Sequence, residues 1–214
     1  MTEIVTAVPL RDQITNIVRD MIISGKFANE QKISERQISA MLNVSTTPVK
    51  EAFRVLQAEG LIYSVPRKGS FVSSYSKENI RQIIYLRSSV DAVAAYFAAV
   101  YATKEEIGLM EKALEKSRTL IEACEGQEKI SENNSFFHEQ VRIAARNNYI
   151  VNIGTTVRNI DDSVRRVVNA DDFELMMRRQ EEHEQILQAI KDGKSERAEQ
   201  IMRRHIRQSV DSIV

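Results

Sequence analysis

The run from Ile33 to Gly69, ISERQISAMLNVSTTPVKEAFRVLQAEGLIYSVPRKG, constrains the fold more than any other part of the chain. Ser34 and Gln37 stand at capping-box spacing, which predicts a helix opening at Ser34. Ile38, Met41 and Leu42 supply its apolar face at helical spacing. Asn43 tolerates the left-handed turn that can end a helix, and Val44 plugs the joint. Pro48 suits the first position of a second helix, where a backbone N–H would have no partner. That helix turns Val49, Ala52, Phe53 and Leu56 inward and Thr46, Thr47, Lys50, Glu51, Arg54 and Gln57 outward, until Gly60 stops it. Leu61, Tyr63 and Val65 then alternate with Ile62 and Ser64 as a strand does. Pro66-Arg67-Lys68-Gly69 is a turn with two cations at its tip, and Ser70-Phe71-Val72 returns. A preceding helix over 9–25, with Ile14, Ile17, Val18, Met21 and Ile22 on one side, completes a three-helix core. This order of elements builds a winged helix-turn-helix, whose second helix fits the major groove of DNA.

The rest of the chain reads as helix. Only 7 Gly and 3 Pro occur in 214 residues, a scarcity of breakers that favours a mostly α protein. The polar linker Ser73-Ser74-Tyr75-Ser76 divides the winged helix-turn-helix domain, 1–75, from an all-helical domain, 76–214. Six helices follow: about 78–101, 104–123, 128–146, 149–168, one opened by Asp171-Asp172 and closed by Asp192-Gly193, and 195–212. A capping box at Thr103 and Glu106 opens the second of these. Short connections between them make an antiparallel bundle.

Charge and cysteine usage narrow the function classes. The formal net charge is zero, which argues against a protein that coats nucleic acid without specificity. The split is +2 over 1–75 and −2 over the remainder, the sign expected of a local basic edge. A single cysteine, Cys124, excludes an internal disulfide framework and fits a reducing cytoplasm. No run approaches the ~18 apolar residues of a membrane span, and no basic segment precedes an apolar core as in a secretion signal. A cytoplasmic protein without a membrane partner is expected.

All three histidines fall on inward helix faces. His138 shares a side with Ile130, Asn134, Phe137, Val141 and Ala145. His183 lies with Met176, Ile186, Leu187 and Ile190, and His205 with Ala198, Ile201, Met202 and Ser209. A buried imidazole needs a partner, and one divalent metal would serve all three. Asn134 and His138, spaced i,i+4, can reach a common point. On the first bundle helix Ile83, Arg87, Val90, Ala94 and Phe97 form one seam. Arg87 there either pairs with Asp91 at i,i+4 or clamps the carboxylate of a small acid.

The run VSTTPVKEAFRVLQAEGLI resembles the DNA-reading domain of GntR-type bacterial transcription regulators, and the downstream helices resemble their FCD (FadR-like) branch. NSFFH looks like that branch's Asp-x-x-Phe-His motif, EHEQILQAIKDG like its second histidine motif and AEQIMRRH like its third. The resemblance implies a homodimeric regulator, commonly a repressor, that binds operator DNA and responds to a small organic acid. Six C-terminal helices correspond to the shorter subtype. It also implies a metal held by one acidic residue and three histidines. Here those positions are Asn134, His138, His183 and His205. Asn134 brings no negative charge, which implies either weaker metal affinity or a shift toward imidazole-loving ions such as Zn²⁺ or Ni²⁺.

Matching the family's DNA contacts gives Arg36, Thr46, Thr47, Lys50, Arg54, Lys68 and Gly69. Thr46 and Lys50 stand where the family pattern has arginine, the residue that grips guanine with two bonds, so the operator should lean less on guanine there. Gly69 lets the wing backbone approach the minor groove. Other readings of the same histidines are three independent core or surface residues, a metal-free pocket in which His and Asn hold the effector directly, a direct metal sensor, and a metal-dependent enzyme. Against the enzyme, no general base stands out, Glu182 reads as a solvent-facing charge, and no nucleophile elbow or Gly-rich phosphate loop is present.

Overall fold

The computed structural model describes residues 8–74, 77–168 and 173–208. It divides into two compact units, Met1–Lys77 and Glu78–Val214.

The first unit contains α1 (Leu10–Ile23), β1 (Lys32–Ile33), α2 (Glu35–Leu42), α3 (Thr46–Ala58), β2 (Ile62–Val65) and β3 (Gly69–Val72). Ser34 caps α2, its hydroxyl accepting the Gln37 N–H at 3.2 Å. Asn43 ends that helix in the left-handed region, at φ 53°. Pro48 occupies the third position of α3 rather than the first, because the helix already begins after Ser45. The shift costs little, since N–H groups of the first turn have no helical partner at either place. The three strands form an antiparallel sheet in the order β1-β3-β2, with Tyr63 opposite Phe71 and Ile33 opposite Ser70. Ile14, Val18, Ile38, Val49, Phe53, Leu56 and Leu61 make the core beneath it.

One α1 expectation fails. Ile17 is 41% exposed, and the buried face instead takes in Thr15 and Arg19. The cause is a buried ion pair. Arg19 donates through Nε and Nη2 to the Glu59 carboxylate, at 2.9 and 2.7 Å, and ties α1 to the end of α3. The helix rotates to bring the guanidinium inward. Removing one partner of such a pair costs about 3–5 kcal/mol.

The second unit contains α4 (Lys77–Tyr101), α5 (Lys104–Glu122), α6 (Gln127–Ala144), α7 (Asn148–Val168), α8 (Phe173–Lys191) and α9 (Ser195–Gln208), six helices among the described residues. The expected Asp171-Asp172 opening and Ser209 lie outside those residues. The Thr103–Glu106 capping box is formed in both directions. Helix α5 packs on α6 and α8, α8 on α9, and α6 on α7. Phe137, Val141, Ile186, Ile190 and Met202 lie in the shared core.

Two expectations about α4 need correction. Its most buried face runs through Ile84, Ser88, Asp91, Ala95 and Ala98, while Ile83, Val90 and Phe97 are only half-buried. Arg87 and Ala94 of the expected seam are buried, and the small alanines Ala95 and Ala98 extend the buried face to the adjoining row. Residues 81–101 also do reach the length and apolarity of a membrane span, with a mean hydropathy of 1.4. Arg87 and Asp91 sit buried in the middle of that stretch and pair with each other, as suits a core helix of a polar-lined bundle.

Candidate metal centre and nucleic-acid interface

In the helical unit, α6, α8 and α9 each send one histidine to the same place. His138, His183 and His205 are buried, and one ring nitrogen from each lies within 4.8 Å of the others. The His138 and His183 Nε2 atoms stand 3.2 Å apart. Phe137, one residue before His138, lays its ring 5.0 Å from that of His183 and closes the group on that side.

The imidazoles differ in what holds their second nitrogen. His205 Nδ1 lies 2.7 Å from Glu182 Oε2. Glu182 is therefore not the solvent-facing charge read from the sequence. The two residues are on different helices, and only packing brings them together. A carboxylate on one nitrogen orients the ring and leaves the other to face a ligand, as in metal sites. Burial also raises the Glu182 pKa, against the pull of nearby arginines, Arg178 first. His138 and His183 are held well below the ordinary histidine pKa, chiefly by burial and next by a neighbouring histidine in each case. Both are neutral at pH 7, the form that ligates a metal. The Nδ1 atoms of both are buried without a hydrogen-bond partner.

Asn134, expected beside His138, accepts a hydrogen bond from the Ser117 hydroxyl on its carboxamide oxygen at 2.6 Å. Ser117 in turn accepts from Asn133, whose amide also donates to the Ala113 carbonyl at 2.6 Å. The oxygen that was to ligate is thus engaged in an α5–α6 polar chain.

Arg87 gives Nε to Asp91 at 3.2 Å, the local i,i+4 pair. Asp91 has two further neighbours. Its Oδ1 accepts from Arg142 Nη1 at 3.0 Å, and its Oδ2 lies 3.9 Å from His138 Nδ1. Arg142 was missed in the sequence because VRIAAR reads as an ordinary charged helix turn. A usable signal was its i,i+4 spacing from His138, which places it on the same inward face. It is fully buried, and burial lowers its pKa against the raising effect of Asp91. Helix α7 makes room with Gly154, where a Cβ would come 2.3 Å from Arg142 Cδ.

In the winged unit, Arg36, Thr46, Thr47, Lys50, Arg54, Lys68 and Gly69 are all exposed. Thr46, Lys50 and Arg54 follow one stripe of α3 at i,i+4 spacing, opposite buried Val49, Phe53 and Leu56. The wing turn closes with Lys68 N–H on the Val65 carbonyl at 3.0 Å. Gly69 takes φ 108°, a conformation L side chains rarely adopt. Lys32, on β1, lies beside it, with Cε 3.0 Å from where a Gly69 Cβ would stand. This adds a cation at the wing that sequence reading missed, since a two-residue strand shows no alternation.

Comparison with known proteins assigns both units. Residues 10–72 match the profile of "Bacterial regulatory proteins, gntR family", and residues 82–208 match the FCD domain. The transcriptional repressor RspR of Escherichia coli (strain K12) is 27% identical over 96% of this chain and 89% of its own length. The repressor GlaR of the same strain is 23% identical, over 88% of this chain and 89% of its own. The solved structure of E. coli McbR/YncC shares the fold, with a TM-score of 0.72 at 18% identity, covering 96% of this chain and 97% of that one. The chain is a transcriptional regulator rather than an enzyme, and it belongs to the GntR family of bacterial regulatory proteins, in the group that carries an FCD domain.

Proposed function

We propose that this regulator is a homodimeric repressor that binds operator DNA through α3 and the wing and senses a small organic acid at a divalent metal in its helical unit. The observation that carries the reading is the convergence of three buried imidazoles, two of them neutral and with an orphaned Nδ1. Three nitrogen donors fit Zn²⁺ or Ni²⁺. His138, His183 and His205 would hold the ion, Glu182 would orient His205, and Asn134 would join only by releasing Ser117. The ion would supply open positions for oxygen atoms of the effector. The guanidinium groups around Asp91, that of Arg87 among them, give the same region a positive character that favours an acid.

Leu86, Val93 and Val100, spaced by seven residues, leave an exposed apolar stripe on α4 that a second copy would cover. Two-fold pairing would place two winged units on a two-fold operator. The acid would act by favouring a state of the helical unit with different affinity for DNA.

Gel shifts with DNA from upstream of its own coding region test this. Binding should weaken steeply with salt. Small carboxylic acids should release DNA from the metal-loaded protein and not from chelated protein. Absent or salt-insensitive binding would refute the reading, and release by metal alone would make the ion itself the signal.

A further inference from the structure

We propose that Arg142 is the clamp for the effector's carboxylate, taking its two oxygens side-on across Nε and Nη2. The inference rests on the acid-sensor reading above and assigns its binding group. Arg142 is completely buried, yet only Nη1 is engaged, on Asp91 at 3.0 Å. Nε and Nη2 have no hydrogen-bond partner. These two atoms are not an arbitrary pair. They form one edge of the guanidinium plane, with parallel N–H bonds spaced to meet the two oxygens of a carboxylate. A structural arginine at such depth would have that edge satisfied.

Arg87 differs in which atom meets Asp91. Its Nε is already given to Asp91, so the corresponding edge is engaged. Asp91 is shared between both guanidinium groups, so one negative charge meets two positive ones away from water. An incoming anion relieves that imbalance. Position favours the same assignment. Arg142 follows His138 by one helical turn, and Asp91 connects them, 3.0 Å from Arg142 Nη1 and 3.9 Å from His138 Nδ1. Gly154 then has a purpose. Helix interiors disfavour glycine, but a Cβ here would press on Arg142 Cδ at 2.3 Å and Nε at 3.1 Å, displacing the donor edge.

The test is calorimetric titration of the full-length protein with citrate, acetate and inorganic phosphate, each with Ni²⁺ and with chelator. Wild type should bind citrate. Arg142→Lys keeps the charge and can still reach Asp91 but lacks the paired donors, and should bind citrate at least about 10-fold more weakly. Gly154→Ala should weaken it in the same direction. Ni²⁺ binding without carboxylate should be retained in both variants, which shows that the helical unit is folded. Unchanged citrate affinity in Arg142→Lys overturns the assignment while leaving the acid-sensor reading intact. Loss in Arg87→Lys with Arg142→Lys unaffected transfers the clamp to Arg87 and also overturns it. If neither carboxylate binds wild type under either condition, the acid-sensor reading fails and takes the clamp with it. Phosphate binding that depends on Arg142, with no carboxylate binding, contradicts the assigned ligand class.

Discussion

The two units solve opposite problems with their polar residues. In the winged unit the residues matched to DNA contact are all exposed, over a core that is apolar except for a few groups such as the Arg19–Glu59 pair. In the helical unit the chemically distinctive residues are inside: three histidines, Arg87, Asp91 and Arg142 are each less than a tenth exposed. A surface that reads DNA can change without disturbing what holds the unit together. A sensing site built into a core cannot. Ligand binding in the helical unit should therefore register as stability, whereas changes at the reading surface should leave stability alone.

The largest effect expected on either side comes from the apolar cores themselves. Phe53→Ala in the winged unit and Phe137→Ala in the helical unit should each cost about 3–5 kcal/mol in denaturant unfolding. The units differ in the second readout. Phe53→Ala should remove DNA binding, while Phe137→Ala should also weaken Ni²⁺ binding, because that ring packs against His183.

Acid should then separate the units. His138 and His183 have folded pKa values depressed below the ordinary 6.5, mainly by burial. The unfolded chain gains their protons as pH falls through about 6.5, and the folded chain does not. Stability contributed by the neutral imidazoles is thus present above that pH and lost below it, by about 1.4 kcal/mol per pH unit for each. Glu182, with a raised pKa, works in the opposite sense closer to its ordinary 4.5. Chelated protein melted between pH 8 and pH 5.5 should lose stability below about 6.5, and His138→Gln with His183→Gln should flatten that slope. A slope unchanged by the double variant would mean that the two imidazoles are not its source.

Gly154→Ala should cost about 1–3 kcal/mol by overpacking against Arg142. Gly108, also within a helix, has open space where a Cβ would stand, so Gly108→Ala should be neutral or stabilising. The smallest stability changes belong to the reading surface. Lys50→Ala and Arg54→Ala should shift unfolding by less than about 0.5 kcal/mol. Each phosphate contact removed should lower the salt dependence of DNA binding by roughly one ion.

How much of this was legible in the sequence follows the same contrast. The winged unit is written in local signals. Ser34, Asn43 and Gly60 each act within a few residues, so the helix-turn-helix could be read directly, apart from small local errors: Pro48 is third rather than first in α3, and Met41, read into the apolar face of α2, is 45% exposed. Arg19 turned α1 toward Glu59, forty residues away, and Ile17 was left outside. In the helical unit, periodicity placed the three histidines correctly on inward faces. It did not reveal what meets them. The Glu182–His205 contact, the Ser117–Asn134 hydrogen bond and the Arg142–Gly154 fit all join different helices. Such pairings depend on how helices rotate against one another, which helical spacing within one segment does not encode.

The most direct test titrates Ni²⁺ into wild-type protein and His183→Ala while following both thermal melting and affinity for DNA from upstream of its own coding region. The account predicts one ion per chain, a rise in melting temperature of wild type alone, and acid-dependent loss of DNA affinity that the variant does not show. Equal metal binding, melting shift and DNA response in the two proteins would contradict it.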